Sequence, residues 1–306
     1  MTIIGGWEGW PRGSLHLTFG VFDGVHRGHR ALVGALVEGA RTAGARALVA
    51  TFDVHPARVL APAHAPYALS SAEEKTDLLL DAGADAVVLW PFDRAFSQIE
   101  APEFVRLLAS AGEIRQVLVG PDLVFGHERH GDATVLRELG PRYGYAVAEI
   151  PPQEYAGDVI SSTRIRAALA AGQISEANVM LGREYGVRGT VVHGAGRGRG
   201  LGYPTINIAT PTDRQLPRDG IYAMRVVLGG DIFPAAANLG VRPTFEQRGA
   251  RVLEVYLLEA GDRDLYGRAV EARFVARIRD ELRFESVEAL VAQIARDVEA
   301  ARAALA

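Results

Sequence analysis

The 306-residue sequence predicts two domains of different class: an α/β domain on a parallel sheet, followed by a six-stranded antiparallel β-barrel with a C-terminal helix. Three observations predict it. Up to residue 172 strand-like and helix-like runs alternate, which favours a parallel sheet with helices on both faces. From about residue 183 six short β-rich runs follow one another without an intervening helix, the pattern of an antiparallel barrel. A single apolar stripe, Val287, Leu290, Val291, Ile294 and Val298, then marks a last helix.

In the first half, residues 15–22, 46–52, 85–90, 116–120 and 145–150 read as strands, and residues 28–43, 71–82, 101–111 and 132–139 as the helices between them. A further helix over 162–171 stops at Gly172, a residue suited to the left-handed position after a last turn. The barrel runs are 186–193, 204–209, 221–228, 232–238, 252–258 and 269–278, punctuated by Pro217, Asp219, Gly220, Gly229 and Gly230. Ser286 is placed to cap the final helix. The change of pattern puts the domain boundary at 182/183, giving domains 1–182 and 183–306.

Composition removes several classes. Hydrophobic residues make up 48% of the chain, enough for ordinary cores, and a net charge of -4 argues against a nucleic-acid partner. Cysteine is absent, which excludes disulfides, thiolate metal sites and a cysteine nucleophile, and fits a cytoplasmic protein. The start, MTIIGGWEGWPRG, lacks the layout of a signal peptide. No apolar run approaches the roughly 20 residues of a membrane helix, so no membrane partner is expected. The only lysine is Lys75. A Walker A loop and a protein kinase each require a lysine in a context that this one does not have. Phosphate handling would fall to arginine, histidine, backbone N–H groups and metal.

Two short segments suit phosphate in the first half. TFGVFDGVHRGH (18–29) ends a strand and opens a helix, with Asp23-Gly24 supplying a tight turn. His26 and His29, three apart, both reach one ligand from the first helical turn, where free N–H groups and the helix dipole favour an anion. The spacing alone also suits a metal pair or two surface histidines. In ISSTRIR (160–166), Ser162, Thr163 and Arg166 combine hydroxyls and guanidinium at a helix start, which serves a phosphate or simply a capped helix.

Together these segments resemble the HxGH and SSTxxR signatures of the HxGH nucleotidyltransferase superfamily. The longer similarity is to the prokaryotic FAD synthetase module. GVFDGVHRGH resembles its GNFDGVHxGH, and TFDVHP (51–56) its TFxPHP. The helix around Glu74-Lys75, the Phe92–Phe104 stretch and VGPDLVFGHERHGD (119–132) follow in the family's order. The resemblance implies a Rossmann-like domain that binds ATP through Asp23, Gly24, His26, His29, Ser162, Thr163 and Arg166. It gives His26 and His29 the catalytic role and places the flavin near Asp122 and Phe125. The implied reaction is in-line attack of the FMN phosphate on the α-phosphorus of ATP, in which positioning and charge stabilisation dominate. Val21 and Leu123 stand where the family has Asn and Phe, and imply a weaker transferase.

In the second half HGAGRGRGLGYPTIN (193–207) carries five glycines between residues 194 and 202, among them Gly196, Gly198 and Gly200 beside Arg197. Such a loop lets backbone approach phosphates, or is a basic β-turn. If 204–209 is a strand, Thr205 and Asn207 share a face and offer oxygens to Mg²⁺. Glu254 alternates with Leu253, Val255 and Leu257, as any solvent-facing strand residue does. The half as a whole resembles riboflavin kinase. The Gly/Arg loop with PTIN, NLGVRPTF (238–245), LEVYLL (253–258), DLYG (264–267) and the 279–281 segment match in order. The resemblance implies Mg²⁺–ATP at Thr205 and Asn207 beneath the loop, Glu254 as general base on the ribityl alcohol, and Arg279 near the flavin.

The two resemblances fill the chain from about residue 15 to 300 and imply a bifunctional riboflavin kinase/FAD synthetase acting on ATP, riboflavin and FMN. Two other readings are a riboflavin kinase with a weakened or inactive transferase and a non-catalytic flavin-binding regulator. The second has no use for His26, His29, Arg166, Thr205, Asn207 and Glu254 together.

Overall fold

A computed structural model describes residues 2–194, 200–241, 251–258 and 265–306. The chain divides into two compact units, Met1–Ser162 and Thr163–Ala306.

The first unit contains β1 (Thr2–Gly5), β2 (Ser14–Phe19), α1 (Arg27–Thr42), β3 (Arg46–Phe52), α2 (Ala57–Leu60), α3 (Ala72–Asp81), β4 (Ala86–Trp90), α4 (Ala101–Ala111), β5 (Glu113–Val119), α5 (Ala133–Tyr143) and β6 (Ala146–Glu149). A small hairpin of β7 (Glu154–Tyr155) and β8 (Asp158–Val159) follows. The six-stranded sheet runs β1-β4-β3-β2-β5-β6 and every pairing is parallel. Its central strands β2, β3 and β4 are buried on both faces, as parallel strands between helices are, while the edge strands β1 and β6 are more exposed. Leu15, Leu17, Leu48, Ala50 and Trp90 face one cluster with Phe104 and Leu108 of α4. Val49 and Val87 face another with Leu32, Val33 and Leu36 of α1 and Leu79 of α3.

Helix ends follow local chemistry. Ser71 and Glu74 form a reciprocal capping box on α3, and the Asp132 carboxylate caps α5. α5 runs through Pro141, beyond the predicted end at 139, and stops at Gly144 with φ +78°. β1, α2 and the β7–β8 hairpin have no counterpart in the sequence reading.

Strand order fixes where a ligand can enter. β2 lies between β3 and β5, and the chain order reverses across it. Loops leaving the C-terminal ends of β2 and β5 therefore diverge and leave a crevice, where ligands of open α/β sheets bind. Residues 20–29 and 120–125 are those loops.

The second unit holds α6 (Ser162–Ala171), whose first residue belongs to the first unit, α7 (Ile174–Leu181), β9 (Tyr185–Val192), β10 (Ile206–Ala209), β11 (Gly220–Leu228), β12 (Asp231–Val241), β13 (Arg251–Leu257), β14 (Ala269–Arg279) and α8 (Val287–Leu305). The six strands close an antiparallel barrel in the order β10-β13-β12-β11-β14-β9. The rings of Tyr185, Tyr222 and Phe274 pack together in the barrel core. On its outer face Ala223 and Ala236 take Val298 and Ala301 of α8, with Ile294 packed against them; of the predicted stripe this is the C-terminal part, and Val287 at its start is exposed.

The division at 162/163 falls earlier than the predicted boundary at 182/183 because α6 and α7 join the barrel. Asn178 of α7 donates from Nδ2 to the Phe274 carbonyl (2.9 Å) and accepts the Tyr185 N–H (2.8 Å). The Arg218 N–H donates to the Leu169 carbonyl of α6 (2.9 Å). One strand is also shorter than predicted. β10 starts at Ile206, so Pro204 and Thr205 precede it and the face-sharing argument does not extend to Thr205.

Candidate functional site

The loop after β2 is wound tightly. Phe22, Gly24 and Val25 have φ of +49°, +79° and +38°. Left-handed backbone is costly for non-glycine residues, above all for a β-branched one, and persists only where the surroundings enforce it. Both side chains are buried. The Asp23 carboxylate accepts the N–H groups of Leu69 (2.9 Å) and Ser70 (3.1 Å), and the Gly24 N–H donates to Ser70 Oγ (3.0 Å). Asp23, read from the sequence as an ATP contact, thus points its carboxylate into the fold and clamps the loop. Lys75 does related work. Its ammonium donates to the carbonyls of Val21 (3.1 Å) and Phe52 (2.7 Å), tying the ends of β2 and β3. Burial brings it down to about 8, against the pull of the Asp23 and Asp53 carboxylates.

The clamped loop delivers two imidazoles to the start of α1. His26 is the N-cap, and its Nδ1 accepts the His29 N–H (3.3 Å). Accepting at Nδ1 places the proton of a neutral ring on Nε2. The two rings stack with centroids 3.6 Å apart, and His29 meets Phe22 edge-on at 5.1 Å. Gly28 has to be small: a Cβ there would lie 3.1 Å from the His26 ring. The first turn of α1 carries no acidic residue, so its N–H groups and dipole remain suited to an anion. Among the described residues no group of three His, Cys, Asp or Glu could hold a metal ion, so the metal-pair reading gains no third ligand.

Ser162 Oγ donates to the Asp23 carbonyl (2.8 Å), joining the second signature to the first. Thr163 and Arg166 follow in the first turns of α6. Beyond β5, Asp122 is exposed, but Phe125 is not presented to a ligand. Its ring sits in the core between Phe19 (5.6 Å) and Phe104 (5.3 Å), and its backbone bridges to Gly131. The assignment of Phe125 to flavin is corrected accordingly: the side chain is core. Leu123 packs against the same cluster.

In the second unit, strand register assembles what the sequence scatters. Asn207 of β10 pairs with Glu254 of β13, and Glu254 pairs with Asn238 of β12. Asn238 pairs with Ile221 of β11, and Ile221 with Arg279 of β14. Directly paired residues share a face about 5 Å apart, so Asn207, Glu254, Asn238, Ile221 and Arg279 form one row around the outside of the barrel. Leu253, Val255 and Leu257 turn the other way and are buried. Gly194, where the glycine loop begins, lies on Asn207: a Cβ there would overlap the Asn207 amide. Gly196, Arg197 and Gly198 fall outside the described residues, and Gly200 is exposed. Arg279 already has a partner in α8, donating from Nε (2.8 Å) and Nη2 (2.5 Å) to the buried Asp297 carboxylate. Its guanidinium anchors the helix. In the sequence Asn238 is only the first residue of NLGVRPTF, with no role attached; register brings it to Glu254.

Comparison with known proteins adds the decisive observation. The FAD synthetase family matches residues 11–164 and the riboflavin kinase family residues 181–305. A bifunctional riboflavin kinase/FMN adenylyltransferase of Escherichia coli (strain K12) is 40% identical, over 95% of this chain and 93% of its own. The chain belongs to this bifunctional family. Relatives with the same name from Pseudomonas fluorescens and Listeria monocytogenes are 38% and 34% identical, over 94% and 96% of this chain and 91% and 93% of theirs. A solved structure from Streptococcus pneumoniae, named a macrolide-efflux protein, is similar with a TM-score of 0.88 and 32% identity, covering 98% of each chain. That name belongs to that structure; among the described residues of this chain no helix is long and apolar enough to cross a membrane. Within the bifunctional family's frame, α7 and most of α6 lie between the two matches.

Proposed function

We propose that the chain makes FMN from riboflavin and FAD from FMN, consuming one ATP in each step. The observation that carries this is the presence of both family matches in one chain.

In the transferase step the N–H groups at the start of α1, His26 and His29 hold the phosphates of ATP, and Ser162, Thr163 and Arg166 are assigned to the same nucleotide, while Gly24, its N–H taken by Ser70, shapes the loop. The FMN phosphate oxygen attacks the α-phosphorus, the bond to the β-phosphate oxygen breaks, and pyrophosphate leaves. The attacking phosphate is already ionised, so the protein's task is alignment and neutralisation of charge at the breaking bond. Asp122, exposed beyond β5, is assigned to the flavin side.

In the kinase step Glu254 accepts the proton of the ribityl primary alcohol as its oxygen attacks the γ-phosphorus, the bond from that phosphorus to the bridging β-phosphate oxygen breaks, and ADP leaves. Gly196, Arg197, Gly198 and Gly200 of the glycine loop are assigned to the ATP phosphates. Thr205 and Asn207 suit Mg²⁺, which commonly takes few protein oxygens and completes its shell with phosphate and water. Bound there, the ion would neutralise charge on the phosphates; Asn207 would orient it beside Glu254, its cross-strand neighbour.

Incubation of the purified chain with riboflavin and ATP, with products separated by chromatography, tests the reading. FMN should appear first and FAD should follow with release of pyrophosphate. Accumulation of FMN without FAD would leave a kinase alone, and binding of flavin without either product would leave a regulator.

A further inference from the structure

We infer that Asn238 binds the ribityl chain of riboflavin, holding a hydroxyl next to the one that Glu254 deprotonates. The inference rests on the kinase reading above and assigns one more residue to that site.

Asn238 carries an unusual combination of features. Its Oδ1 is buried and has no hydrogen-bond partner. A buried unpaired amide oxygen costs free energy, and such atoms in otherwise satisfied folds ask for a ligand or a water. Which amide atom is O and which is N is an assignment, but an unpaired buried amide atom is anomalous either way. The amide sits directly across from Glu254, on the side away from Asn207. The row thus has an order: the phosphate side at Asn207 and Gly194, the base at Glu254, then Asn238. An alcohol whose oxygen lies at Glu254 and attacks towards Asn207 must extend its own carbon chain towards Asn238.

The surroundings suit an extended polyol. Strand residues two apart share a face, so Ala236 and Gly240 flank Asn238 along β12. Both are small, and Gly240 is so close to the Glu281 carboxylate that a Cβ would overlap it. On the Gly240 side, the Ala236 side being covered by α8, the amide and the Glu281 carboxylate offer acceptors and a donor to hydroxyl groups. An amide can accept from a hydroxyl through Oδ1 while donating to another through Nδ2.

The test is Asn238→Ala in the full chain, with three readouts. Riboflavin binding without ATP, followed by quenching of flavin fluorescence, should weaken about 2- to 12-fold, the scale of one hydrogen bond. The KM for ATP should not change. Riboflavin lacking the hydroxyl next to the phosphorylated one should bind the wild type more weakly than riboflavin does, and the variant should not distinguish the two. The thermal midpoint should stay level or rise, because the substitution removes an unpaired buried group, and this separates a binding defect from a folding one. Unchanged riboflavin affinity, or a change confined to ATP, would overturn the assignment. Absence of FMN formation in the wild type would sink the kinase reading instead, and the binding titration would still decide on Asn238.

Discussion

The two proposed phosphate sites are built in opposite ways. The centre of the first is local: ten consecutive residues, 20–29, leave one strand, turn through left-handed backbone and start one helix. The second is distributed: its row takes one residue from each of five strands, ordered by barrel register. A local site stores its geometry in a clamped loop, so its weak points are the clamps. A distributed site stores its geometry in the barrel, so its weak points are whatever holds the barrel shut. The same contrast separates the groups proposed to react: stacked imidazoles at a helix end, assigned to stabilise charge, and a carboxylate on a strand, assigned to move a proton.

The largest effects should come from the reactive groups themselves. His29→Ala is expected to lower FAD formation from FMN by about 10²-fold or more, the scale of losing a transition-state donor, with FMN formation unchanged. Glu254→Gln is expected to lower FMN formation by about 10²-fold or more and spare FAD formation. Each is read in an assay supplied with one flavin. A variant that lowers both activities would break the separation of the sites.

Next in size is the barrel's support. A fragment of residues 183–306 lacks α7, whose Ile174, Ala177, Met180 and Leu181 are buried. At about 1.5–3 kcal/mol for each large apolar side chain, and with both Asn178 hydrogen bonds gone, it should melt well below a fragment of 163–306. Equal midpoints would show that α6 and α7 add nothing to the barrel.

The clamp of the first site should matter less. Asp23→Ala leaves the buried Leu69 and Ser70 N–H groups without their carboxylate, at about 1–3 kcal/mol for an unpaired buried donor. FAD formation and the thermal midpoint should fall together while FMN formation persists, and Asp23→Asn, which keeps an acceptor oxygen, should recover much of both. A loss of FAD formation with no loss of stability would return Asp23 to the ATP side.

Acid should also act on the first unit selectively. His16 on β2 is buried against α1, and burial lowers its pKa. The unfolded chain therefore takes up this proton first as pH falls. The contribution is whole above about 6.5, the ordinary histidine value, and shrinks as pH drops towards the folded value. The midpoint of the first unit should fall between pH 7 and 5, and His16→Gln should flatten that slope. Parallel slopes would remove His16 as the cause.

The smallest expected effect concerns Val21 and Leu123. The Val21 carbonyl is taken by Lys75 and Thr51, leaving only its side chain to differ from the family's Asn. Val21→Asn with Leu123→Phe should raise FAD formation by about 2- to 12-fold, one hydrogen bond's worth, without touching FMN formation. No change would show both positions to be neutral.

What was legible in the sequence follows the same contrast. The residues of the first site are contiguous, so HRGH and its helix could be read directly, and the strand at 46–52 and the helix at 101–111 match the fold residue for residue. The inward turn of Asp23 and the core position of Phe125 could not be read, because each depends on a partner far along the chain. In the second unit the strands were legible from their turns, but register was not. Asn238 therefore stood only as the first residue of a motif, and nothing in the sequence paired Arg279 with Asp297. α7 was missed because its apolar face covers the barrel rather than following a strand.

Mixing the two variants tests the central claim, two independent sites acting in sequence, most directly. Given riboflavin and ATP, His29→Ala alone should accumulate FMN, and Glu254→Gln alone should make almost no FMN or FAD. Combined in one solution, they should carry riboflavin through to FAD, because FMN released by one is substrate for the other. FAD formed from riboflavin by either variant alone at the wild-type rate, or none formed by the mixture, would contradict the account.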